Sequence, residues 1–525
     1  MGGWRLAADY GSFTDESMCR DTGQVSLVYL YECLPAALRP ARMTARLAVI
    51  PAAYRLPAYK DRAYGVAFEL PMTLAEKASG YTDLHDVLLL RHRGVVTACW
   101  LGLVAFYWLA TQRLGNWWAG LLGTLLLILS PRLFADAFYN AKDAVFAAAY
   151  LIAAATAVAL VRRPGAKRAA AHALACALAI DVRLMGLLVP VLTLALLALR
   201  AQRGDYAGVL GRAGRAALLY LGLLPLLVVA FWPFLWAAPL AHFAEALARM
   251  SHFDWRDTLL YRGRVLSAGS PVPWHYPLVW LGLTTPLPYL AGLALALGRL
   301  GWQLARRGWQ LYNAADEWQD LLYWGLGLGP LVVVIGLHSV LYDGWRQLYF
   351  AYPPLLLLAL RGWALAWRWQ PSGQQLGYYW RGVLALAGVG TLASVAGQMV
   401  TLHPLQNLYF NALAGAHPER RYEYDYWGLS LRQGLGWIAR HDERPTIRII
   451  TNGFFSSATL NSVLLPASGR ARLQLVRETE PADYLITVSG SHQRQFIRGT
   501  PVYSLCVGAE GCLVFTIFRL VPPSS

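Results

Sequence analysis

The sequence predicts a polytopic α-helical membrane protein with about ten spans and a small α/β domain at its C-terminal end. Hydrophobic residues make up 57% of the 525 residues and charged residues 14%, and the mean hydropathy is +0.38. Soluble domains carry about 25% charged residues. A low charge content with repeated long apolar runs is typical of a chain that crosses a lipid bilayer several times.

The formal net charge is +16 at pH 7, which by itself would also suit a nucleic-acid-binding protein. However, the basic residues are concentrated in short loops between apolar runs, where Lys and Arg set the orientation of membrane helices. We therefore expect the lipid bilayer as a partner and no nucleic acid.

The distribution of apolar residues divides the chain into three regions. Residues 1–92 are polar to mixed and form an outer N-terminal segment, because they contain no run long enough to span a membrane. Residues 93–402 form the transmembrane helical domain with its outer loops. Residues 403–525 contain short alternating runs and turn residues, which predict an α/β domain outside the membrane.

Ten apolar runs of the central region are interpreted as spans. The stretch 169–199 is too long for one helix, and Asp181 and Arg183 at its centre predict a hairpin with a polar turn. A single tilted helix with an internal ion pair would also account for this stretch. The predicted spans lie near residues 95–112, 117–130, 143–161, 169–182, 184–199, 216–236, 278–298, 321–340, 347–368 and 380–401.

Four basic loops fall on one side of the membrane when these spans are connected in order. By the positive-inside rule this side is the cytoplasm, so the other connections and the C-terminal domain face outward. The basic loops are 162–168, 200–215, 299–307 and 361–381. The outward-facing segments are 1–92, 131–143, 181–183, 237–277, 341–346 and the chain after residue 402.

The C-terminal region shows alternating strand patterns separated by turn residues. Cys506 and Cys512 flank one such turn and could form a disulfide, as could Cys19 and Cys33, or all four could be free thiols. A helix is expected at 432–440. Strands are expected at 446–451, 473–477, 483–489, 502–507 and 512–519.

The segment 130–143 is a polar island between two strongly apolar runs. Charged residues are costly in lipid and usually line a water-filled site. Arg132 and Lys142 are expected to hold an anionic group, while Asp136 and Asp143 orient these cations or bind a cation. Alternatively, Asp143 begins the next helix and Lys142 snorkels to the membrane surface. The polar residues of the island are Arg132, Asp136, Asn140, Lys142 and Asp143.

Three other outward-facing segments carry candidate residues. Of the adjacent carboxylates Asp15 and Glu16, one can act as a base while the other binds or caps, although the pair could simply cap the helix that follows. His275 lies in an aromatic loop that suits either a cover over a lipid-facing cavity or an interfacial anchor. Arg346 suits bidentate phosphate binding, although it could instead form a structural ion pair with Asp343.

The sequence contains no P-loop, HExxH, CxxC or GxSxG motif, so nucleotide or zinc chemistry of the soluble type is not indicated. An outward-facing pocket with carboxylates and phosphate-binding cations suits an enzyme that uses a lipid-phosphate substrate. It also suits a transporter or flippase of lipid-linked sugars, whose pocket residues would be reachable from both faces. A sensor or scaffold, with the C-terminal domain as its binding module, would tolerate the loss of Asp15 and Lys142.

Seven motifs in order resemble those of bacterial membrane glycosyltransferases, relatives of the protein O-mannosyltransferases and of the lipid A aminoarabinose transferase. The resemblance covers most of the chain up to about residue 435. It implies the C-type glycosyltransferase fold, a polyprenyl-phosphate sugar donor, a periplasmic acceptor hydroxyl and a location in the bacterial inner membrane. The motifs are Thr14-Asp15-Glu16, SPRLFADAFYNAKD (130–143), AIDVRLMG (179–186), PWHYP (273–277), LYDGWRQLYFAYPP (341–354), HPLQNLYFNALAG (403–415) and YDYWGLS (424–430).

The same resemblance implies roles for individual residues of a hexosyl- or pentosyltransferase. Asp15 would be the general base, and Glu16 would help to bind the acceptor, which could be a protein, a lipid or a glycan. The expected reaction is an inverting single displacement that requires no cofactor, with a divalent metal at Asp15 or Asp136 as an open alternative. An upstream helix, as these relatives have, would raise the span count to eleven. The cations expected around the donor phosphate are Arg132, Lys142, Arg183 and Arg346.

Overall fold

The structure is a computed structural model of the chain. It describes residues 2–39, 49–251, 257–267, 272–308, 312, 317–369, 374–490 and 499–520. The predicted outer loop 237–277 is therefore described except for residues 252–256 and 268–271.

Helices dominate residues 2–402, as the composition predicts. Seven of the described helical segments are long and apolar enough to cross a membrane, so the chain is a multi-pass membrane protein. These segments are Leu84–Leu114, Asp143–Arg162, Leu184–Gln202, Leu210–Phe231, Glu317–Gly336, Arg346–Arg368 and Gln375–Leu402.

The helices are numbered here in chain order. They are α1 (Gly2–Leu6), α2 (Glu16–Cys33), α3 (Glu69–Ser79), α4 (Leu84–Leu114), α5 (Trp117–Ile128), α6 (Pro131–Asp136), α7 (Asp143–Arg162), α8 (Ala166–Val182), α9 (Leu188–Gln202), α10 (Leu210–Phe231), α11 (Pro239–Ser251), α12 (Tyr276–Thr284), α13 (Leu287–Arg307), α14 (Glu317–Gly336), α15 (Tyr352–Arg368) and α16 (Gln374–Leu402).

Three of the ten predicted spans do not correspond to any of these seven long apolar helices. The run 117–130 gives the short helix α5, and the run 169–182 gives α8, which has 17 residues. The run 278–298 is divided between α12 and α13, because Pro286 lies between them and a proline disfavours helical geometry in the residue before it. The hairpin predicted at 181–183 is confirmed, since α8 ends at Val182 and a new helical segment begins at Leu184.

The Ala-rich helix α7 lies at the centre of the membrane domain. Many of its buried side chains are alanines, which let a neighbouring backbone approach closely: a Cβ atom added to Gly102 of α4 would lie 2.8 Å from the Cβ of Ala148. Small residues at a helix contact favour such close packing in membranes, where lipid competes with apolar side chains. The start of α7, at Asp143, is thereby held against α4 and α8.

The basic ends of the membrane helices meet on one face. Arg113 near the end of α4 forms two 2.6 Å hydrogen bonds with the carboxylate of Asp320 near the start of α14. Arg361 of α15 lies 3.8 Å from the same carboxylate. Arg200 of α9 donates to the carbonyl oxygen of Val161 of α7 at 3.0 Å. These contacts agree with the prediction that the basic loops share one side.

The C-terminal region forms the predicted α/β domain. Its five strands are β3 (Ile447–Thr451), β4 (Leu473–Leu475), β5 (Tyr484–Val488), β6 (Thr500–Val507) and β7 (Cys512–Arg519). They form a sheet of order β4-β3-β5-β7-β6, in which β3 is parallel to β4 and β5, and β7 is antiparallel to β5 and β6. The predicted helix and all five predicted strands are present within a few residues. The helices are α17 (Leu431–His441), α18 (Phe455–Val463) and α19 (Ala467–Arg470).

The amphipathic pattern of α17 explains how this domain is assembled. Leu431, Leu435 and Ile438 recur at helical spacing and are fully buried. They belong to one hydrophobic cluster with inward-facing strand residues such as Ile449 and Ile486. The helix therefore packs its apolar face on the sheet.

The C-terminal domain is docked on the N-terminal segment. Asn461 of α18 bonds to both backbone groups of Ser12, accepting from the N–H at 3.0 Å and donating to the carbonyl oxygen at 3.1 Å. Arg432 of α17 donates to the carbonyl oxygen of Tyr10 at 2.6 Å. The segment that carries Asp15 is thus fixed between the domain and the membrane helices.

A small hairpin lies in the predicted outer loop 237–277. Its strands are β1 (Leu259–Tyr261) and β2 (Arg264–Leu266), which are antiparallel. The hairpin is fastened to the chain that follows α16, because the Gly263 N–H donates to the Arg421 carbonyl at 2.9 Å and the Glu423 N–H donates to the Leu260 carbonyl at 3.0 Å.

Neither disulfide considered from the sequence is present, and the four cysteines are free thiols. Cys19 and Cys33 lie on one helix, α2, about 21 Å apart along its axis. Cys506 is opposite Leu513 in the β6–β7 ladder, whereas Cys512 is opposite Val507. Neighbouring residues of a strand face opposite sides of a sheet, so the two thiols point away from each other.

A buried ion cluster joins the N-terminal segment to the first long helix. The fully buried Arg91 of α4 bonds to Glu16 of α2 and to Glu69 and Glu76 of α3. Glu76 also accepts a 3.0 Å hydrogen bond from Arg20. We call these four residues, Arg91, Glu16, Glu69 and Glu76, the Arg91 cluster.

Arg91→Ala should destabilise the protein strongly, because it leaves three buried carboxylates without their shared cation. Removing one partner of a buried ion pair costs about 3–5 kcal/mol. The check is the thermal or denaturant unfolding midpoint of the purified protein in detergent. Arg93→Ala, at a half-buried position on the same helix, is the control. Equal stability of the two variants would contradict the assignment.

Candidate active site

Arg346 is the centre of a charged site at the ends of the membrane helices that lie opposite the basic ends. It begins the helical segment Arg346–Arg368, and only 4% of its side chain is exposed. Its guanidinium lies 3.0 Å from Oδ2 of Asp143, 3.1 Å from Oδ2 of Asp343 and 3.9 Å from Oδ2 of Asp15. A desolvated guanidinium requires such partners, because an unpaired buried charge is costly.

Asp143 connects this cation to a second one. Its Oδ2 accepts from Arg346 and its Oδ1 from Arg183, and its own backbone N–H donates to Oδ1 of Asn140 at 2.8 Å. Asn140 Nδ2 donates back to Asp143 Oδ2 at 3.2 Å. The carboxylate also sits at the first residue of α7, where the helix dipole favours a negative charge.

Lys142 lies beside this pair, at the residue before α7. Its Nζ atom is 3.4 Å from the centre of the Tyr64 ring and 3.6 Å from Sδ of Met18. Both contacts come from the N-terminal segment. Within the described part of the chain, Lys142 forms no salt bridge with a carboxylate. Its half-buried ammonium therefore faces the site.

A cavity of about 650 Å³ opens next to Lys142 and Arg183. One end is polar, formed by Tyr64, Lys142, Asp181 and Arg183. The other end runs along apolar side chains of the membrane helices and of α11, which makes the cavity amphipathic. Its apolar lining includes Leu184, Met185, Leu187, Leu188, Val191, Trp232, Leu247, Met250, Val333, Val334 and Leu337.

Asp181 fixes the polar end of this cavity. Its Oδ1 accepts from the backbone N–H of Val66 at 2.8 Å, and a Cβ atom on Gly65 would collide with it. Only glycine permits this approach of the N-terminal segment to the end of α8. The contact places Tyr64 over Lys142.

Asp15 occupies the residue before α2, but its side chain makes no capping hydrogen bond there. The structure therefore does not support the alternative that the Asp15 side chain serves only as a helix cap. About 35% of the side chain is exposed, and its carboxylate lies 3.9 Å from the Arg346 guanidinium. Asp15 thus presents an accessible carboxylate at the charged site.

Glu16 is not brought into this site. It begins α2, and only 1% of its side chain is exposed because it lies in the Arg91 cluster. Burial raises the pKa of Glu16 to about 7, with Arg91 opposing the shift and Glu69 adding to it. The position offers no contact to a molecule in the cavity.

Arg132 and Asp136 are also separated from the cavity lining. Arg132 donates from Nε to the Tyr409 carbonyl at 3.0 Å and lies over the rings of Phe410 and Trp280, 4.6 and 5.2 Å from their centres. Asp136 is fully buried, and burial raises its pKa to about 7. Neither residue lines the cavity that contains Lys142 and Arg183.

His275 and Asp343 belong to the rim of the charged site. His275 Nδ1 is 2.7 Å from the Tyr261 hydroxyl of the hairpin, and the next residue, Tyr276, accepts from the Gly344 N–H at 3.2 Å. Asp343 has a left-handed backbone, with φ of 55°. The hairpin loop is thereby joined to the turn that carries Asp343 and Arg346.

Sequence reasoning assigned no role to two aromatic residues of the site. Trp427 lies under Arg346, with 4.7 Å between the guanidinium carbon and the ring centre. Tyr64 covers Lys142. Trp427 belongs to the YDYWGLS motif, so the sequence offered a reason to consider it. No feature of the sequence around Tyr64 distinguishes that residue.

The arrangement can bind an amphiphile with an anionic head. Two cations, Lys142 and Arg183, line the polar end of the cavity, and apolar side chains extend from it. Asp143 links Arg183 to Arg346, and Asp15 lies beside Arg346. Charge-assisted hydrogen bonds from Arg and Lys suit phosphate oxygens. An accessible carboxylate at such a site is able to accept a proton.

No protein-family model matches the sequence, and no curated protein matches it significantly by sequence. The structure is similar to two crystal structures of ArnT from Cupriavidus metallidurans, one in the apo state and one bound to undecaprenyl phosphate. The apo structure shares 12% sequence identity with this chain at a TM-score of 0.47. The match covers 98% of this chain and 96% of the ArnT chain. The structure bound to undecaprenyl phosphate has 13% identity and a TM-score of 0.44, covering 86% and 87%.

The structure is also similar to the apo oligosaccharyltransferase of Archaeoglobus fulgidus, with 12% identity and a TM-score of 0.42. That match covers 80% of this chain and 57% of the other. At these identities and TM-scores, an activity can be assigned only from the residues of this chain.

Stability should depend on pH through Glu16. Its pKa in the folded protein is about 7, above its ordinary value of 4.5, so the folded state retains a proton that the unfolded state has lost. The free energy of unfolding should therefore fall as the pH rises from about 4.5 to about 7. Glu16→Gln should flatten this fall, as measured by thermal unfolding across that range. The same substitution at Glu32, at the other end of α2, should leave it unchanged.

Proposed function

We propose that the protein is a membrane glycosyltransferase that moves a sugar from a polyprenyl-phosphate donor to an acceptor hydroxyl. The observation that supports this most directly is the amphipathic cavity, with two cations at one end and membrane-helix side chains along the other. A polyprenyl phosphate has the same division, an anionic head on a long apolar chain.

In this proposal the donor phosphate binds between Lys142 and Arg183, and its isoprenoid chain lies along α9 and α14. Arg183 already bonds to Asp143, so its guanidinium is oriented before the donor arrives. Arg346 is held by three carboxylates and lies behind the same Asp143. Preorganised cations of this kind stabilise the charge that develops on a leaving phosphate.

Asp15 would act as the general base. It takes the proton from the acceptor hydroxyl while the acceptor oxygen forms a bond to the anomeric carbon. The bond between that carbon and the phosphate oxygen breaks, and the electron pair leaves with the polyprenyl phosphate. One displacement inverts the configuration of the sugar. Cations of the chain suffice for this step, so we propose no required cofactor, and chelation at the active site should leave the chemistry intact.

The charged site and the C-terminal domain lie on the face opposite to the basic helix ends. By the positive-inside rule, the basic face would be cytoplasmic and the site periplasmic, in a bacterial inner membrane. The acceptor would then approach between the C-terminal domain and the hairpin. The acceptor is a protein, a lipid or a glycan, and the sugar is a hexose or a pentose. A transfer assay with panels of donors and acceptors distinguishes these classes.

The two adjacent carboxylates should respond differently to substitution. Asp15→Asn should lower sugar transfer roughly 10²–10⁴-fold, because it removes the general base. Glu16→Gln should retain transfer, since Glu16 lies in the Arg91 cluster. The measurement is transfer in membranes from a panel of radiolabelled polyprenyl-phosphate pentoses and hexoses. Undiminished transfer by Asp15→Asn would overturn the base assignment but not the enzyme class.

Lys142→Ala and Arg183→Ala should each raise the KM for the donor about tenfold or more, because each removes a charge-assisted hydrogen bond to phosphate. The control is Lys60→Ala, at a lysine whose side chain is 84% exposed. Unchanged donor KM in both variants, with normal membrane insertion, would contradict the proposed phosphate site. Movement of a lipid-linked sugar across vesicles without transfer would instead favour the flippase.

The apolar end of the cavity can be tested by filling it. Val333→Trp should raise the KM for donors with long isoprenoid chains more than for short-chain donors, because Val333 lines the cavity. The control is Val332→Trp, because the adjacent residue Val332 is 67% exposed and does not line the cavity. Equal effects of the two substitutions on all donors would place the chain elsewhere.

A further inference from the structure

A second cluster of chemically active side chains lies away from the charged site, where the chain leaves the membrane. His417 and Glu419 belong to the turn around the short helix Pro418–Arg420, and Cys512 begins β7 of the C-terminal sheet. The imidazole nitrogen, a carboxylate oxygen and the thiol sulfur all lie within 4.8 Å of one another. The three residues come from two segments that are almost a hundred positions apart.

The backbone of the turn holds two of these side chains together. His417 has a φ of 54°, a left-handed conformation that is uncommon outside glycine. Its Nδ1 atom is 3.0 Å from Oε1 of Glu419. An imidazole and a carboxylate are thus arranged side by side facing Cys512.

Glu419 has a buried carboxylate oxygen that the described protein atoms do not satisfy. The residue is 6% exposed, and no hydrogen-bond partner of Oε2 occurs among the described residues. Arg420 approaches Oε1 at 3.8 Å, but its own side chain is 74% exposed. A buried carboxylate oxygen without a partner carries a desolvation cost that a bound cation would remove.

The donor set selects the kind of ion. A thiolate and an imidazole are soft or borderline ligands that Mg²⁺ and Ca²⁺ do not prefer, whereas Zn²⁺ binds Cys, His and carboxylate together. Three protein ligands leave a fourth position for water. About 38% of the His417 side chain is exposed, so an ion can reach the cluster from solvent.

We propose that His417, Glu419 and Cys512 bind one Zn²⁺ ion that ties the segment after the last membrane helix to the C-terminal sheet. This segment also pairs with the β1–β2 hairpin through Arg421 and Glu423. Leu260 of the hairpin donates in turn to Oε1 of Glu423 at 2.6 Å. The ion would therefore brace the hairpin, the exit from α16 and the sheet at one point. This inference is independent of the proposed transfer reaction.

The competing explanation is a metal-free trio in which the thiol and imidazole simply hydrogen-bond to Glu419. Both explanations predict that mutation lowers stability, so stability alone cannot separate them. Metal content and the charge-transfer absorption of bound Co²⁺ do separate them, because a hydrogen-bonded trio retains no metal.

The experiment uses the full-length protein in detergent, kept reduced, stripped with EDTA, incubated with Zn²⁺ and passed through a desalting column. Wild type should retain one equivalent of zinc by elemental analysis. Cys512→Ser and His417→Ala should each lose it. Cys506→Ser, which removes the exposed thiol of the neighbouring strand, should retain it. Co²⁺ in place of Zn²⁺ should give a thiolate-to-metal charge-transfer band in wild type and Cys506→Ser alone.

Two results would overturn the proposal. The first is wild-type protein that retains no zinc and shows no thiolate–cobalt band. The second is zinc retained equally by wild type and Cys512→Ser, which would place the ion at other residues. If Cys512→Ser does not fold, His417→Ala decides the question, because this half-exposed side chain lies outside the core. Zinc should also raise the unfolding temperature of EDTA-stripped wild type but not that of His417→Ala.

Discussion

The ion network around Arg346 is the constraint on which the face opposite the basic helix ends depends. A guanidinium that is 4% exposed at the edge of the membrane domain must be paired. Its three carboxylate partners come from three separate parts of the chain: the N-terminal segment, the start of α7 and the turn before Arg346 itself. Satisfying one charge therefore fixes the relative positions of three outward segments. Arg183, bonded to the same Asp143, adds the turn after α8 as a fourth.

The amphipathic cavity is a consequence of this network. Because Asp143 is already bonded to both Arg183 and Arg346, it balances part of their charge and orients both guanidinium groups. Lys142 is held against Tyr64, and its ammonium contacts an aromatic ring and a sulfur atom without a salt-bridge partner among the described residues. The polar end of the cavity thus presents the Lys142 ammonium and the Arg183 guanidinium, while the membrane helices supply the apolar end. In the proposed function, the anionic head of a lipid matches the polar end and its chain matches the apolar end.

The different positions of Asp15 and Glu16 follow from helix geometry. Successive residues at a helix start point in directions about 100° apart, so two adjacent carboxylates cannot face the same site. Asp15 faces Arg346, whereas Glu16 faces α4 and contributes to the Arg91 cluster. The neighbouring carboxylate is therefore part of the scaffold that holds the N-terminal segment in place. A tandem acidic motif in a sequence identifies the region of a site but not which of its members belongs to it.

The sequence by itself determined the membrane character, the common side of the basic loops, the hairpin at 181–183 and every strand of the C-terminal sheet, because these follow from local composition and periodicity. It also singled out Asp15, Lys142, Asp143, Arg183, Asp343 and Arg346 as candidates, since charged residues next to membrane spans are few, and the structure brings these residues close together. Only the tertiary structure decided that Arg132, Asp136 and Glu16 lie apart from the cavity, that Tyr64 covers Lys142 and Trp427 packs against Arg346, and that His417, Glu419 and Cys512 meet. Those outcomes depend on contacts between residues far apart in the chain, which no local pattern encodes.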